Sequence, residues 1–472
     1  MKIKLEKIAK IDSADIEIKD LTIFVGKNST NKSYMAHTIY MINKILSKLE
    51  LDNFDNFDNI STLFEKYIKD SSQNYIYILD ILKNLKTTTS IRKSNIEDMW
   101  EFEDITNIRE VTFDFSFINL DEITLDIKKF IVTEIIYLLN QSFNIDRNII
   151  KNIIFQNHQK NINELLKNNQ ITIKSNNKKE DYIILLNKIF EIIIKYFFRE
   201  RIAKKEFYFP ASRTGFVLAF DEIVSGVLRG RFGGQPTATK LTEPTIDFIS
   251  GFADIKSGKF RDGFWRLEED NTQKEKIKKL FKFIEDRVVK GKIIEENLAQ
   301  NYTQFYLQTN NREKLDLHLI SSATVELLPL IIFLKHFSQI DDRLLVIEEP
   351  EAHLHPKAQI EMARLLVMLV NSGAKVLITT HSDYILNELS NCIKLDRTEN
   401  NFKEEYLKKY SLDKDTIISS DRVSAYLFRD IDSQKTEVQE LVIDEYGVAN
   451  DNFDDILDEL LDRTDEINGM VI

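Results

Sequence analysis

The sequence predicts an α/β fold, a mixed sheet flanked by helices, carrying a long α-helical insertion. Three observations lead there. Residues 344–347 (LLVI) form an uninterrupted apolar run, as a strand buried on both faces of a parallel sheet requires, and the run ends at Glu348, Glu349 and Pro350. An amphipathic helix over 357–371, a stop at Gly373 and a second apolar strand over 375–380 complete a βαβ unit. Near the other end of the chain, the apolar run 21–25 (LTIFV) leads into a polar loop and then a helical pattern from Tyr34.

Taken in order, residues 2–25 read as two or three strands, and 34–49 as the helix whose N-terminus faces the preceding loop. Residues 50–200 contain neither glycine nor proline and show helical periodicity over 60–85, 121–141, 146–168 and 180–200. This stretch is expected to be a helical insertion between two halves of one domain. Residues 207–209 return to the sheet and end at Pro210-Ala211-Ser212-Arg213. Arg213 is open to two readings there, a salt-bridged turn or a phosphate contact. The glycine-rich, basic stretch 228–240 (LRGRFGGQPTATK) is a loop, either simply solvated or touching a phosphate backbone or a partner.

An amphipathic helix follows over 274–287, then strands over 292–295, 304–308 and 314–318 that lead to Ser321, Ser322 and Ala323. After the βαβ unit, residues 421–446 read as two strands and a turn, and 450–468 as an acidic helix. Asp444, Glu445 and the later acidic cluster are read as structural, because no separate glutamate and Asp-x-Asp strand ends accompany them. The expected domain bounds are 1–49 and 301–472 for the two halves of the α/β domain, 50–204 for the insertion, and 205–300 for the return to that domain.

Two motifs carry chemistry. Residues 26–33 (GKNSTNKS) fit the phosphate-loop pattern G-x-x-x-x-G-K-[ST] at Gly26, Lys32 and Ser33, with Asn31 in place of the second glycine. Backbone N–H groups of such a loop cradle phosphates, the lysine neutralises them and the hydroxyl ligates Mg²⁺. Asparagine is the least costly replacement, since it tolerates the left-handed conformation. At the end of the 344–347 strand, Glu348 and Glu349 divide two tasks, metal holding and proton handling. A solvated acidic strand end is the plainer alternative. His353 and His355 could form a metal pair if they lay on a strand; they follow Pro350 in a turn, which argues against that pairing.

Composition narrows the class. With 472 residues, 43% hydrophobic and 30% charged, the chain is expected to fold as two or three domains without disorder. Its net charge of −12 argues against a general nucleic-acid binder. No apolar run has the length of a membrane span, and the N-terminus lacks a signal-peptide core, so a cytoplasmic location is expected. The single cysteine, Cys392, excludes an internal disulfide and is read as a small buried hydrophobe.

Together these residues resemble the ABC-type ATPase heads of the overcoming-lysogenisation-defect class, "AAA family ATPases" encoded in prokaryotic anti-phage defence operons and related to the SMC and DNA-repair ATPases. The resemblance rests on residues 26–33, the E-E-P-E-x-x-L-H-P block at 348–356, the T-H-S motif at His381, and Ser321-Ser322-Ala323, similar to the ABC signature with alanine for glycine. It covers both ends of the chain and the middle only loosely. It implies an ABC-type P-loop head that sandwiches ATP with Mg²⁺ between two subunits of a homo-oligomer. Gly26, Asn28, Asn31, Lys32 and Ser33 would bind phosphates, Ser33 and Glu348 the metal; Glu349 would activate water and His381 sense the γ-phosphate. Ser322 would complete the site of the facing subunit. The resemblance further implies a sensor or regulatory subunit of a defence system, with a separate effector such as a nuclease and with surfaces available for DNA. Competing expectations are a nucleotide-gated scaffold with little turnover, motivated by Asn31 and Ala323, an SMC-like repair ATPase, and a transport motor, against which the long insertion argues.

Overall fold

The computed structural model describes residues 2–48, 89–90, 111–114, 205–223, 241–257, 271–298, 302–309, 311–336, 340–341, 343–445 and 447–448. The chain divides into two compact units, one of Met1–Leu5 and Asn43–Lys204, the other of Glu6–Ile42 and Lys205–Ile472.

Three strands open the chain, β1 (Lys2–Ile8), β2 (Ile11–Glu17) and β3 (Leu21–Gly26), and α1 (Lys32–Lys48) follows the polar loop. In the first unit, β4 (Thr89–Ser90) pairs antiparallel with β5 (Val111–Asp114), and β5 with the start of β1. These two short strands fall within the stretch expected to be helical. The helices expected over 60–85, 121–141, 146–168 and 180–200 lie outside the described residues, as do the 228–240 loop and the acidic stretch 450–468.

The second unit contains β6 (Lys205–Phe209), α2 (Arg213–Leu218), α3 (Glu243–Lys256) and α4 (Asn271–Phe283). The helix expected over 274–287 gives way at Ile284–Val289 to a π-helical turn that ends on Lys290 at φ +54°. A separate antiparallel sheet of β7 (Gly291–Leu298), β8 (Tyr302–Thr309) and β9 (Lys314–Asp316) comes next. The last of these was expected to run to His318. It stops at Asp316 because that carboxylate accepts a hydrogen bond from the His318 N–H, turning Leu317–Leu319 into a 3₁₀ turn.

The remaining elements are α5 (Ser322–His336), β10 (Arg343–Glu348), α6 (Pro356–Asn371), β11 (Lys375–Thr380), α7 (Asp383–Arg397), α8 (Asn400–Tyr410), β12 (Val423–Asp430), β13 (Thr436–Glu440) and the small hairpin β14 (Ile443–Asp444) and β15 (Gly447–Val448). In this unit the main sheet has the order β2-β13-β12-β3-β11-β10-β6. Its neighbours are all parallel except the β12–β13 hairpin. β3 and β10 are buried along their whole length, which is why they read as continuous apolar runs.

Apolar burial holds the helices to this sheet. Helix α5 is buried continuously from Thr324 to Leu334, and its Phe333 ring meets Phe207 and Phe209 of β6 at 4.9 and 5.6 Å. Phe248 of α3 packs on both Phe209 and Phe333. The edge-to-face contacts among these, Phe207–Phe333, Phe209–Phe333 and Phe209–Phe248, add about 0.5–1.5 kcal/mol each beyond area burial. They fix β6, and hence the turn at Pro210–Arg213, against α5.

Candidate active site

Parallel pairing brings several strand ends to one edge of the sheet. Phe428 of β12 lies opposite Gly26, Val25 of β3 opposite Thr380, Thr379 of β11 opposite Glu348, and Ile347 of β10 opposite Phe209. The loop after β3, the acidic turn after β10, His381 after β11 and Arg213 after β6 therefore share the carboxyl edge, where open α/β sheets bind ligands.

Gly26 has φ +153°, and a Cβ placed there would stand 2.3 Å from the Phe428 carbonyl oxygen. Only glycine fits. Ser29 and Asn31 are both left-handed, with φ +67° and +64°, the backbone geometry from which anion-binding nests are made. Asn31 does more than replace a glycine. Its Nδ2 donates to Thr436 Oγ1 at 3.1 Å, and Thr436 Oγ1 donates to Asp430 Oδ1 at 2.9 Å, tying the loop to the β12–β13 hairpin.

Lys32 is buried, and its Nζ donates to the Gly26 and Lys27 carbonyls at 2.7 and 2.6 Å. Burial pulls the ammonium below its ordinary range, opposed by the carboxylates of Glu349, Glu351 and Asp430. Asn28 and Ser33 are exposed, on the loop and in the first turn of α1.

Glu348 is buried at the end of β10, and its Oε2 accepts from the Ala211 N–H at 3.1 Å. Its Oε1 has no hydrogen-bond partner and stands 4.0 Å from His37 Nε2. Burial lowers the His37 pKa, with Glu348 opposing. Glu349 is half-buried and left-handed at φ +42°, a costly conformation for a side chain of its size. Its N–H donates to the Thr379 carbonyl at 2.9 Å.

Arg213 secures this turn from the other side. The guanidinium donates to the carbonyls of Pro210 (3.1 Å), Glu348 (2.6 Å), Glu349 (3.2 Å) and Glu326 (3.2 Å), and pairs with Glu326 Oε1 at 2.6 Å. Of the two readings open for Arg213, the structure supports the salt-bridged turn. Thr214 Oγ1 donates to the second Glu326 oxygen, Oε2.

Glu351, buried, holds the segment after β11. Its Oε1 accepts from Thr380 Oγ1 and the His381 N–H, each at 2.8 Å, and lies 3.3 Å from His381 Nδ1. Its Oε2 is buried without a partner. Ser321 and Ser322 are exposed at the start of α5, where Ser321 Oγ accepts from the Thr324 N–H at 3.3 Å. Among the described residues no hydrogen bond joins residues 321–323 to the phosphate loop. His353 is exposed at φ +58°, and His355 caps α6 through Nδ1.

The donor set suits a metal–phosphate ligand. Left-handed loop residues, a buried lysine and two buried carboxylate oxygens without partners, Glu348 Oε1 and Glu351 Oε2, meet at one sheet edge. A family model, described as "AAA ATPase domain", matches residues 1–386. The chain belongs to the AAA ATPase domain family. Its α/β fold is thus that of a P-loop ATPase head, as the sequence predicts. No curated protein matches the chain. Among solved structures, it is similar to the Smc head domain with an extended coiled coil, bound to the C-terminal domain of ScpA, from Pyrococcus furiosus. That match has 12% identity and a TM-score of 0.33, covering 99% of this chain and 98% of that one. An SmcHead bound to the C-winged helix domain of ScpA matches at 11% identity and a TM-score of 0.32, covering 94% and 98%. No described helix is long and apolar enough to cross a membrane.

Glu326, Glu351, Thr436 and Asp430 are not predicted as site residues from the sequence. Glu351 carries a signal, its place within E-E-P-E beside the two site carboxylates. The others carry none, since each meets the site only through the fold.

Proposed function

We propose that this AAA ATPase binds ATP with Mg²⁺ and hydrolyses it at the carboxyl edge of the main sheet. The observation that supports this most is the meeting of the Gly26–Lys32 loop, the Glu348–Glu349 turn and His381 on the ends of neighbouring parallel strands. Gly26, Asn28, Asn31, Lys32 and Ser33 would hold phosphates, and Ser33 with Glu348 would hold the metal. The bound Mg²⁺ would neutralise phosphate charge and orient the terminal phosphoryl group. Glu349, fixed through its own N–H and carbonyl, would take a proton from the attacking water. His381, positioned by Glu351, would contact the γ-phosphate.

The finer reading is an ABC-type sandwich in a homo-oligomer, a dimer or larger, in which Ser322 of one copy completes the site of another. The exposure of Ser321 and Ser322 at a helix start supports it. The 348–356 block supports a place among the overcoming-lysogenisation-defect-like ATPases, as a sensor subunit in anti-phage defence that controls a separate effector such as a nuclease. DNA contact through the insertion or the 228–240 loop belongs to the same reading.

Replacement of Lys32 by alanine tests the first step. Lys32→Ala should abolish ATP binding in equilibrium titration while thermal unfolding stays cooperative; unchanged affinity would remove the loop assignment. A second reading, a nucleotide-gated scaffold, is favoured by the Asn31–Thr436 bond, which immobilises the loop. Turnover that is unaffected by Glu349→Gln would support the scaffold.

A further inference from the structure

Arg213 touches both the acidic turn and the helix that begins at Ser322. Its side chain is 3% exposed, and it engages four backbone carbonyls and one carboxylate on three separate segments. Two of those carbonyls belong to Glu348 and Glu349. Two contacts are to Glu326, one helical turn beyond Ser322 on α5. Glu326 has a fully buried side chain, and Thr214 of the same α2 helix binds its other oxygen. Burial pushes the Glu326 carboxyl up and Arg213 opposes this, so each charge depends on the other.

The turn needs such support. Glu349 occupies a left-handed backbone conformation that a non-glycine residue keeps only when its surroundings over-determine it. On the N–H side Thr379 supplies the restraint, and on the carbonyl side Arg213 does. A guanidinium can hold several acceptors in a fixed planar fork; an ammonium in the same place cannot.

We propose that Arg213 is a positioning residue for hydrolysis, holding the Glu348–Glu349 turn and tying it through Glu326 to the helix that begins at Ser322. Movement at the start of α5 then alters the aim of the Glu349 carboxylate. This rests on the reading of Glu349 as the residue that activates water. If Ser322 faces the nucleotide of a second copy, the same linkage connects one subunit's catalytic turn to the neighbouring site.

Arg213→Lys and Glu326→Gln, made in the full chain, test the linkage by steady-state ATPase assay, titration with a non-hydrolysable ATP analogue, and amide hydrogen exchange. Arg213→Lys should lower kcat by about 100-fold, the scale of a small misplacement of a catalytic group, with analogue affinity changed by less than about 3-fold. Glu326→Gln keeps the contacts to the carbonyls and loses the ion pair, and should lower kcat by about 10-fold. In both variants, exchange should rise together over 348–352 and over 322–328. Unchanged kcat with unchanged exchange in folded Arg213→Lys would overturn the proposal. So would a parallel loss of analogue affinity, which would assign Arg213 to binding. If Arg213→Lys fails to fold, Glu326→Gln decides alone by the same criteria. A wild-type chain without ATPase activity would remove the reading of Glu349, whereas exchange rising in only one of the two segments would remove the linkage.

Discussion

Glu351 holds His381 by two atoms: its Oε1 accepts the His381 backbone N–H at 2.8 Å and lies 3.3 Å from the ring Nδ1. With Nδ1 facing the carboxylate, Nε2 is the nitrogen directed away from Glu351. The histidine ring itself is 41% exposed, so its orientation depends on this one buried acceptor.

Glu351→Ala should therefore lower kcat by about 10–100-fold with a much smaller change in nucleotide affinity, since the hydrogen bonds it makes go to Thr380 and the His381 N–H rather than to the phosphate loop. Glu351→Gln keeps an acceptor for Thr380 and the His381 N–H, and should retain most of the activity. Steady-state kinetics with parallel nucleotide titration checks both; equal activity in Glu351→Ala and wild type would show that His381 needs no such support.

Asn31 combines a left-handed backbone with a bond to Thr436. Asn31→Gly keeps the backbone and loses the bond, and should cost about 1 kcal/mol in denaturant unfolding. Asn31→Ala loses the bond and adds the steric cost of the left-handed region, for about 2–3 kcal/mol in all. ATPase activity should survive Asn31→Gly, because the loop conformation is kept. Equal stabilities of the two variants would contradict this account.

Gly26 admits no side chain, since any Cβ would press on the Phe428 carbonyl oxygen at 2.3 Å. Gly26→Ala should separate β3 from β12 at that point and destabilise the chain by about 3 kcal/mol. Denaturant unfolding measures the loss, and a change below about 0.5 kcal/mol would mean that the strand ends move apart without strain.

The buried strands were legible because parallel sheets bury both faces and so leave continuous apolar runs. Pro350 and the polar loop at 26–33 mark where two of those runs end, and Gly373 marks the end of the helix between β10 and β11. The phosphate loop and the Glu348–Glu349 pair could be placed at strand ends from local pattern alone. What joins them could not. Thr380 and Glu351 bond across 29 positions, Arg213 and Glu326 across 113, Thr214 and Glu326 across 112, and Asn31 and Thr436 across 405. No periodicity links residues so far apart. The pattern also shows that 421–446 holds strands but not that β12 pairs with β3, beside the phosphate loop. No element is predicted over 383–410, where helices α7 and α8 lie.

The two adjacent carboxylates give the most direct test of the central claim, that Glu348 holds metal and Glu349 activates water. Glu349→Gln keeps the shape and a hydrogen bond but cannot take up the proton. It should retain Mg²⁺-ATP and show a more stable ATP-dependent oligomer than wild type. Glu348→Gln removes a carboxylate from the metal's surroundings and should weaken Mg²⁺-dependent binding. Nucleotide retention and oligomer size, measured for both variants with and without Mg²⁺, should separate them in opposite directions. Equal loss of binding in the two would contradict this division of labour.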